Sequence, residues 1–354
     1  MSSNHQKGNV IKYALFLKTK HIGDSIILTS AIEALPENYR VDVLCFRDSA
    51  PIFKMHPKVR SIFVVPRHLQ GWSRWKSYWD IYQRMKRGQY ELLAQFSDDW
   101  RGALLSRLLK TPLSVARGSK KRPKFWKESF NTNTRLALSP RPAAEQDVDL
   151  IRLAGLYKET IAPAYVLKPG ESECLKVNEW LNQFNFSNKK IVLMHAAARW
   201  KFKGWKNESW ADLIDRLHAA GYAVIISGSQ SDLSFNQMMI DQCISKPILV
   251  ENFSLEMTTS LMARIDLLIS IDSMSIHMAS AMKKPIVALF GPTDERVWGP
   301  WMTPHLILPS NQNLAPSFSC RPCGLDGCAG TKVGQCLYAI TPAEVLAAAM
   351  QFLD

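Results

Sequence analysis

Two short apolar segments, residues 267–271 and 286–290, predict consecutive buried strands with a short helix of small residues between them. Polar and small residues follow the two predicted strands: Asp272, Ser273, His277, Gly291 and Thr293. In such a βαβ unit, ligands bind outside the carboxyl ends of the strands. Backbone N–H groups at the start of the helix suit a phosphate, and Asp272 and His277 suit sugar hydroxyls. A capped helix with Asp or Ser at its N-cap explains the same segment equally well.

A dense group of basic and aromatic residues follows another predicted strand, residues 191–194. Residues 195–210 hold four cations and three tryptophans, with Arg199, Lys201 and Lys203 near the start. Such cations neutralise a pyrophosphate, and the aromatic rings can stack on a base. Similar clusters bind single-stranded nucleic acid, but the α/β pattern of the chain matches no known nucleic-acid module. A nucleic-acid partner is therefore not expected.

A third candidate is a loop near the N-terminus. Gly23 and Asp24 follow the first predicted strand, residues 11–17, and open the first predicted helix. Gly23 permits a tight turn, which would point Asp24 over the carboxyl edge of the sheet into a cleft between domains. A lone carboxylate there suits a general base, and the alternative is an N-cap that stabilises the helix. The loop matches neither a dinucleotide-binding nor a Walker-type phosphate loop.

Strand and helix patterns alternate twice along the chain, which is typical of an α/β protein with two parallel-sheet domains. The predicted strands are residues 11–17, 41–46, 61–65 and 91–96 in the first series, and 191–194, 223–227, 248–250, 267–271 and 286–290 in the second. A Pro-rich polar stretch, residues 139–146, lies between the two series. We therefore expect an N-terminal domain over residues 1–160 and a C-terminal domain over residues 161–354. A last helix is predicted over Pro342–Leu353, with proline in its first turn.

The basic residues are unevenly distributed in this chain of 354 residues, whose formal net charge is +13. Residues 1–160 contain 28 Lys and Arg against 14 Asp and Glu, whereas residues 161–354 contain 16 against 17. The N-terminal domain is thus expected to meet an anionic partner. No apolar run is long enough for a membrane span, and the first residues lack a signal-peptide core, so a cytoplasmic location is expected.

The order of five motifs resembles that of the lipopolysaccharide heptosyltransferases, glycosyltransferase family nine. These motifs are Gly23-Asp24, Lys203-Gly-Trp205, Phe253-Ser-Leu-Glu256, Asp272-Ser-Met-Ser-Ile-His277 and Phe290-Gly-Pro-Thr293. Phe202-Lys203 and Val297-Trp298-Gly-Pro-Trp301 look most like the heptosyltransferase III branch. The resemblance covers nearly the whole chain. It implies a GT-B fold of two Rossmann-like domains facing across a cleft, an ADP-heptose donor, a lipid-A-linked core oligosaccharide as acceptor, inversion at the anomeric carbon and no catalytic cofactor.

The resemblance also implies roles for individual residues. Asp24 resembles the catalytic base of the family, and Lys203 resembles the lysine that meets the donor phosphates and stabilises departing ADP. Asp272 and His277 resemble the residues that hold the heptose. The other residues implied in donor binding are Arg199, Lys201, Phe253, Ser273, Gly291 and Thr293.

Two departures from the first heptosyltransferase of the pathway affect these roles. One extra residue separates Arg199 from Lys203, so Lys201 is a second candidate for the phosphate role. Met274 replaces a glycine, which narrows the donor pocket. An ADP-sugar other than ADP-heptose is therefore the alternative donor.

The N-terminal domain holds two further segments of interest. One predicted helix places five large side chains at helical spacing: Trp72, Trp75, Trp79, Tyr82 and Met85. Either the helix packs on the sheet or the stripe is partly exposed at a membrane interface. The other segment is a cationic loop that contains Lys120, Lys121, Arg122 and Lys124. With the implied acceptor, this loop is expected to face the phosphates of the lipid-linked core, which would make the protein peripheral at the inner face of the inner membrane.

Four of the seven cysteines lie close together in the sequence: Cys320, Cys323, Cys328 and Cys336. In a cytoplasmic protein, such a group is more typical of a metal site than of disulfides. Thiolates suit a structural zinc or iron ion, and a related cysteine cluster with bound iron occurs in bacterial autotransporter heptosyltransferases. Four free thiols are the alternative.

Three functional hypotheses follow. The favoured one is an inverting, ADP-heptose-dependent transferase of the lipopolysaccharide inner core. An autotransporter protein heptosyltransferase is the alternative within the same class of enzyme. A non-catalytic protein that binds nucleotide sugars or polyanions is the alternative from a different class, and Asp24 would be dispensable in it.

Overall fold

The computed structural model describes residues 10–134, 139–186, 189–309 and 318–354. The chain divides into two compact units. Unit 1 comprises Met1–Ser139 and Ala144–Pro163, and unit 2 comprises Pro140–Ala143 and Ala164–Asp354. Each unit contains one parallel six-stranded sheet within the described ranges, so the expected α/β architecture with two parallel-sheet domains is confirmed.

Unit 1 has the strand order β3-β2-β1-β4-β5-β6. Its strands are β1 (Lys12–Lys18), β2 (Tyr39–Cys45), β3 (Val59–Val64), β4 (Leu92–Gln95), β5 (Leu113–Ala116) and β6 (Thr132–Asn133). Its helices are α1 (Ile22–Glu33), α2 (Ala50–Lys54), α3 (Gly71–Lys86), α4 (Trp100–Leu109), α5 (Lys124–Lys127) and α6 (Ala143–Leu153). The chain runs from β1 outward to β2 and β3, and then returns to the other side of β1 as β4. The gap between β1 and β4 is therefore the topological switch point of this sheet, where ligands bind in open α/β folds.

The central strands of unit 1 are buried along most of their length. Residues 14–17 of β1 are at most 1% exposed, because a parallel sheet covered by helices buries both faces and so needs a continuous apolar run. The rings of Phe16 and Phe96 lie 4.9 Å apart in this core. Trp126 of α5 is also fully buried, and its indole N–H donates a hydrogen bond of 2.9 Å to the carbonyl of Asp99. The short helix α5 is thus fixed to the residue just before α4.

Unit 2 has the strand order β12-β11-β10-β7-β8-β9. Its strands are β7 (Ile191–His195), β8 (Ala223–Ile226), β9 (Ile248–Leu249), β10 (Leu267–Ile271), β11 (Ile286–Leu289) and β12 (His305–Leu308). Its helices are α7 (Glu171–Leu181), α8 (Asn207–Ala219), α9 (Leu233–Ile240), α10 (Leu255–Met262), α11 (Met274–Ala281), α12 (Glu295–Trp298), α13 (Gln335–Tyr338) and α14 (Pro342–Leu353). Here β7 leads to β8 and β9 on one side, and β10 lies on the other side. The switch point of this sheet is the gap between β7 and β10.

The last helix, α14, has the bounds predicted from the sequence. Thr341 and Glu344 form a reciprocal capping box at its N-terminus, and Pro342 occupies the first turn, where its missing N–H has no helical partner to lose. Val345, Ala349 and other buried residues of this helix belong to the core of unit 2. No helix within the described ranges is both long and apolar enough to cross a membrane.

Candidate functional site

An ion pair spans the switch point of unit 2. Lys203 ends a short 3-10 turn that follows β7, and Asp272 follows the last residue of β10. The Lys203 Nζ donates a hydrogen bond of 2.5 Å to Oδ2 of Asp272. The two side chains are 21% and 10% exposed, so both charges remain within reach of a ligand. Strands β7 and β10 are neighbours in the sheet, which explains why residues 69 positions apart meet here.

Ser273, not Asp272, caps helix α11. Its side chain accepts from the backbone N–H of Ser275, whereas the Asp272 carboxylate turns to Lys203. Ser270, Ser273 and Ser275 are hydrogen-bonded to one another at 2.6 to 3.2 Å. Ser273 is therefore the N-cap that the sequence suggested for this segment. The Asp272 carboxylate does not cap the helix and is left to interact with Lys203 or with a ligand. The N-terminus of α11 also favours an anion electrostatically.

His277 and Gly291 occupy buried positions near this edge of the sheet. His277 lies in the second turn of α11, and its ring meets the Tyr165 ring edge-on at 6.0 Å between centroids. Gly291 directly follows Phe290, and a Cβ at this position would lie 2.6 Å from the Leu337 side chain. Gly291 therefore lets Leu337 pack against the strand end, which is a structural reason for glycine here. Thr293 is half-buried two residues later.

The two candidate phosphate lysines lie in different surroundings. Lys203 pairs with Asp272, whereas Lys201 is exposed and lines a cavity of about 760 Å³. Other lining residues of this cavity come from the loop after β7, the start of α8, the start of α9 and residues 331–333. Arg199 is exposed, and its guanidinium lies 5.7 Å from the centre of the Trp200 ring. Lys203, not Lys201, is the lysine that the structure brings to Asp272.

Phe253 follows β9 and lies at the start of α10. Its ring packs edge-on against Trp180 of α7 at 5.1 Å between centroids. The side chain is half-buried, so part of the ring remains open to solvent. Ser254 caps α10 by accepting from the N–H of Met257. An aromatic side chain after β9 is suited to contact a planar base.

His195 is a further polar residue at this edge. It ends β7, is buried, and its Nδ1 lies 3.1 Å from the Ser227 hydroxyl. Burial lowers the pKa of His195 below its ordinary value of 6.5, although Asp232 acts in the opposite direction. The imidazole is therefore neutral at neutral pH. Its position at the end of a strand was visible in the sequence, but its partner Ser227, directly after β8, was not.

In unit 1, Asp24 lies in the first turn of α1, at the carboxyl end of β1. The helix begins at Ile22 with His21 as its N-cap, so the prediction that Asp24 itself could be the N-cap is wrong. Asp24 is half-buried, and its carboxylate makes neither an ion pair nor a hydrogen bond within the part of the chain that the structure describes. The helix N-terminus favours its negative charge. A carboxylate held in this way can still accept a proton from a ligand.

A hydrogen-bond network joins β1 and β4 at the switch point of unit 1. The Thr19 hydroxyl donates to the Asp99 carboxylate and lies 3.0 Å from the Ser97 hydroxyl. Asp99 also caps α4 by accepting from the N–H of Arg101. These residues were not predicted from the sequence, although Ser97 and Asp99 follow β4 just as Asp24 follows β1.

Behind this edge lies a buried cluster of charges. The Lys18 Nζ lies 2.8 Å from Oδ2 of Asp147, and both side chains are at most 4% exposed. Arg117, which follows β5, donates to the other oxygen of the same carboxylate. The two cations share one carboxylate, so the cluster carries a net positive charge at the carboxyl end of the sheet. Because 129 residues separate Lys18 from Asp147, the pair could not be predicted from local pattern.

The cationic loop of unit 1 lies next to α5. Lys120, Lys121 and Lys124 are exposed, and Arg122 is half-buried. Lys124 has a weak partner in Glu128, with 3.6 Å between Nζ and Oε1. The structure thus places three of the four predicted cations where an anionic ligand can reach them. The guanidinium of Arg122 lies 5.7 Å from the centre of the Trp100 ring.

Two units that each contain a parallel six-stranded sheet, together with whole-chain similarity to solved structures, define the fold as GT-B. Residues 78–323 match the model of glycosyltransferase family 9 (heptosyltransferase), and the chain belongs to this family. It is 25% identical over 289 residues to lipopolysaccharide heptosyltransferase 3 of Escherichia coli, an alignment that covers 79% of this chain and 83% of that protein.

Two solved structures show the same fold over nearly the whole chain. The family 9 glycosyltransferase from Veillonella parvula superposes with a TM-score of 0.82 at 20% identity, covering 97% of both chains. The ADP-heptose lipopolysaccharide heptosyltransferase II of E. coli superposes with a TM-score of 0.73 at 17% identity, covering 97% of this chain and 98% of the other. The family and fold inferred from the sequence motifs are confirmed.

The cysteine cluster does not form the expected metal site. Within the described ranges, no group of three or more His, Cys, Asp or Glu side chains is placed to hold a metal ion. Arg321 takes the inward position beside Cys320: its side chain is 2% exposed, lies 3.3 Å from Glu295 and donates to the carbonyl of Gly291. Cys320 is left exposed, whereas Cys336 is buried in α13. The sequence suggested four ligands, but their side chains do not converge.

Iron nevertheless occurs in a protein of similar fold. The iron-containing dodecameric glycosyltransferase TibC from enterotoxigenic E. coli superposes with a TM-score of 0.52 at 11% identity, covering 97% of this chain and 79% of that one. Burial raises the pKa of the Cys336 thiol, and the nearby Cys323 and Cys328 act in the same direction. In the metal-free protein, the Cys336 thiol is therefore less ready to ionise than an exposed thiol.

Proposed function

We propose that this enzyme transfers heptose from ADP-heptose to a hydroxyl of the lipopolysaccharide inner core, with inversion at the anomeric carbon. The family assignment supports heptosyl transfer, and the names of the similar proteins support the donor and the acceptor. The donor is assigned to residues 161–354 and the acceptor to residues 1–160. No cofactor and no nucleic acid takes part in the proposed reaction.

The ion pair between Lys203 and Asp272 is the observation that carries the proposal. A diphosphate sugar presents two anionic phosphates next to a set of neutral hydroxyls. A lysine and a carboxylate in contact at one switch point match those two parts of the ligand. When the diphosphate engages Lys203, the Asp272 carboxylate is released to accept hydrogen bonds from the sugar. Ser273 and the first turn of α11 add N–H donors for the phosphates.

The proposed chemistry uses Asp24 as the base. Its carboxylate takes the proton of the acceptor hydroxyl while the hydroxyl oxygen attacks the anomeric carbon of the donor. The bond between that carbon and the β-phosphate oxygen breaks, and ADP leaves with the bonding electron pair. Lys203 stabilises the negative charge that develops on the departing diphosphate. His277 and Asp272 orient the heptose, Phe253 contacts the adenine, and Arg199 and Lys201 add positive charge near the phosphates.

The distribution of charge supports the proposed acceptor. Inner-core oligosaccharides linked to lipid A are anionic, and the excess of cations lies in residues 1–160. The exposed Lys120, Lys121 and Lys124 are assigned to the acceptor phosphates. Such an acceptor is embedded in a bilayer, so we further propose that the enzyme works in the cytoplasm as a peripheral protein at the inner face of the inner membrane.

A transfer assay tests the proposal. The purified enzyme is incubated with ADP-heptose and a set of core acceptors truncated at successive sugars, and products are analysed by mass spectrometry. We expect the mass of one heptose to be added to one acceptor, with and without a chelator. Asp24→Asn protein serves as the control. Addition of heptose only to an autotransporter passenger fragment would assign the enzyme to protein modification, and donor binding without any product would favour a non-catalytic role.

A further inference from the structure

Helix α3 presents an aromatic face to solvent. Trp72, Trp75 and Trp79 are 81%, 70% and 63% exposed. They are spaced three and then four residues apart, so they lie on one face of the helix. The helix is held from another face, because Met85 is fully buried in the core of unit 1. The stripe that the sequence suggested therefore has two parts. Met85, at its C-terminal end, is packed in the core, whereas the three tryptophans are exposed.

The packed face of α3 is well defined. Tyr78 and Ile81 pack with Met85 against the core cluster of unit 1. Arg74 also turns inward and donates to the carbonyl of Leu69 at 2.5 Å. The orientation of the helix is thus set by contacts within the unit. Exposure of the tryptophans is a consequence of that orientation.

The charges on and around the aromatic face are almost all positive. Lys76, Arg84, Lys86 and Arg87 are exposed, and the single acidic residue of the helix is Asp80. Tryptophan prefers the boundary between lipid headgroups and acyl chains, and lysine and arginine nearby are attracted to an anionic leaflet. The helix has 16 residues, and its apolar residues do not form a membrane-spanning segment.

We propose that α3 is an interfacial helix whose Trp72, Trp75 and Trp79 insert into the headgroup region of an anionic phospholipid bilayer. This proposal rests on the peripheral membrane location proposed above, and it identifies the surface through which the protein binds the membrane. A lipid partner fits better than a protein partner, because lysine is depleted from protein interfaces while tryptophan with lysine is typical of interfacial helices.

A neighbouring part of unit 1 has the same chemistry. Helix α4 contacts both α3 and α5. Trp100 at the start of α4 is 48% exposed and Phe125 of α5 is 54% exposed, with 6.2 Å between their ring centroids. Guanidinium groups lie against both rings, that of Arg122 at 5.7 Å from Trp100 and that of Arg107 at 4.2 Å from Phe125. Aromatic rings bordered by cations thus recur on the helices next to α3.

The test uses vesicles that contain phosphatidylglycerol and lipids with brominated acyl chains, which quench tryptophan fluorescence only on close approach. We expect strong quenching for the wild-type enzyme and little for a triple variant, Trp72→Ala, Trp75→Ala and Trp79→Ala. Cosedimentation should show that the triple variant binds these vesicles about tenfold or more weakly than the wild type, because each exposed tryptophan buries a large apolar area at the interface. Because the three side chains are exposed, the melting temperature should not change.

A matched control removes exposed apolar residues from unit 2. Leu175→Ser with Ile244→Ser changes side chains that are 62% and 93% exposed, and this variant should bind vesicles as the wild type does. Equal vesicle binding by the triple tryptophan variant and the wild type would overturn the proposal. A second result would also overturn it: a wild type that is dimeric and shows no quenching by lipid, together with a triple variant that is monomeric. The aromatic face would then bind a second copy of the chain.

The same variant separates this inference from the proposed reaction. With a deacylated core acceptor free in solution, the triple variant should transfer heptose at the wild-type rate. With the acceptor in bilayers, its rate should fall. Failure of the wild type to act on either acceptor would contradict the proposed reaction but leave the vesicle-binding result intact.

Discussion

The ammonium group of Lys203 lies 2.5 Å from the carboxylate of Asp272, across the gap between β7 and β10. Each side chain neutralises the other in the ligand-free protein. In the proposed donor complex, a diphosphate competes with Asp272 for Lys203, and the sugar hydroxyls bind a carboxylate that has lost its partner. The proposal thus exchanges the Lys203–Asp272 ion pair for a lysine–phosphate ion pair and for hydrogen bonds from the sugar to Asp272.

We expect Asp272→Asn to separate the two parts of the donor. ADP-heptose should bind at least about tenfold more weakly, because hydrogen bonds to a charged group are lost. ADP alone should bind as well as before or more tightly, since Lys203 no longer has a competing carboxylate. Titration calorimetry with both ligands measures this difference. Equal losses for ADP and ADP-heptose would rule out a role for Asp272 in sugar binding.

Lys203→Met should weaken the binding of both ADP and ADP-heptose, and it should also slow transfer. The reason is that the lysine charge stabilises the diphosphate both when it is bound and when it departs. The substitution also leaves the partly buried Asp272 without its partner, so we expect a loss of stability on the order of 1 to 3 kcal/mol. Thermal unfolding of the single variants and of the double variant with Asp272→Asn gives the coupling between the two residues. The double variant should be more stable than Lys203→Met alone.

Asp24→Asn should reduce the transfer rate by about 10²- to 10⁴-fold, the usual effect of losing a general base. The asparagine keeps the size of the side chain, and Asp24 makes no ion pair within the described ranges, so stability and ADP-heptose binding should be almost unchanged. Single-turnover kinetics with saturating acceptor measures the chemical step. A rate equal to that of the wild type would mean that another group is the base.

His195 should make stability depend on pH. Its pKa is lower in the folded protein than the 6.5 of the unfolded chain, because burial disfavours the charged ring. The unfolded state therefore binds more protons as pH falls below about 6.5, and stability is lost in that direction. Melting temperatures of the wild type between about pH 7.5 and about pH 5.5 should fall more steeply than those of His195→Gln. Parallel curves would show that other groups dominate.

The basic loop should affect the acceptor and not the donor. Changing Lys120, Lys121 and Lys124 to glutamine should raise the apparent KM for a phosphorylated core acceptor and leave that for ADP-heptose nearly constant, and added salt should reproduce the effect in the wild type. Arg122 is left in place because it is half-buried and its guanidinium lies near the Trp100 ring. If the triple variant used the acceptor normally at low salt, the charge of this loop would serve another purpose.

The cysteines should react with thiol reagents at very different rates. Exposed Cys320 should be labelled first, whereas burial raises the pKa of Cys336 and, to about 12, that of Cys45. Because the thiolate is the reactive form, both buried residues should react slowly until the protein unfolds. Mass spectrometry after timed labelling identifies the order. Joint protection of all four clustered cysteines, released by a chelator, would indicate that they converge on a metal after all.

The main strands were predictable because a covered parallel sheet requires continuous apolar runs, as in β1, β10 and β11. Strands β5, β6 and β12 were not predicted. They are short or mixed in composition, and their strand state depends on pairing with a neighbour. The division of α3 into a packed and an exposed face was also beyond the sequence, since helical spacing alone does not say which side meets the sheet.

In the candidate site, the sequence located the residues that follow strands, but it did not identify the side chains with which they pair. The rule that ligands bind at the carboxyl ends of strands led to Asp24 and Asp272. It could not show that Asp272 pairs with Lys203, because that pair depends on how distant segments meet. The local pattern left Asp272 and Ser273 both open as the N-cap of α11, and it did not point to His21 as the N-cap of α1. The cysteine spacing suggested a metal site, but within the described ranges no three potential ligands are placed to hold a metal ion.

The anchoring of α5 through Trp126 has a consequence for selectivity. A cationic segment on a loose tether would respond to the total charge of its ligand. Here the buried indole of Trp126 ties the segment to the backbone of Asp99, the N-cap of α4. The lysines just before and within α5 are therefore held at set spacings relative to one another and to the start of α4. We expect such a surface to distinguish acceptors by where their phosphate groups are attached, so that two glycolipids of equal charge but different phosphorylation pattern would not be equivalent substrates.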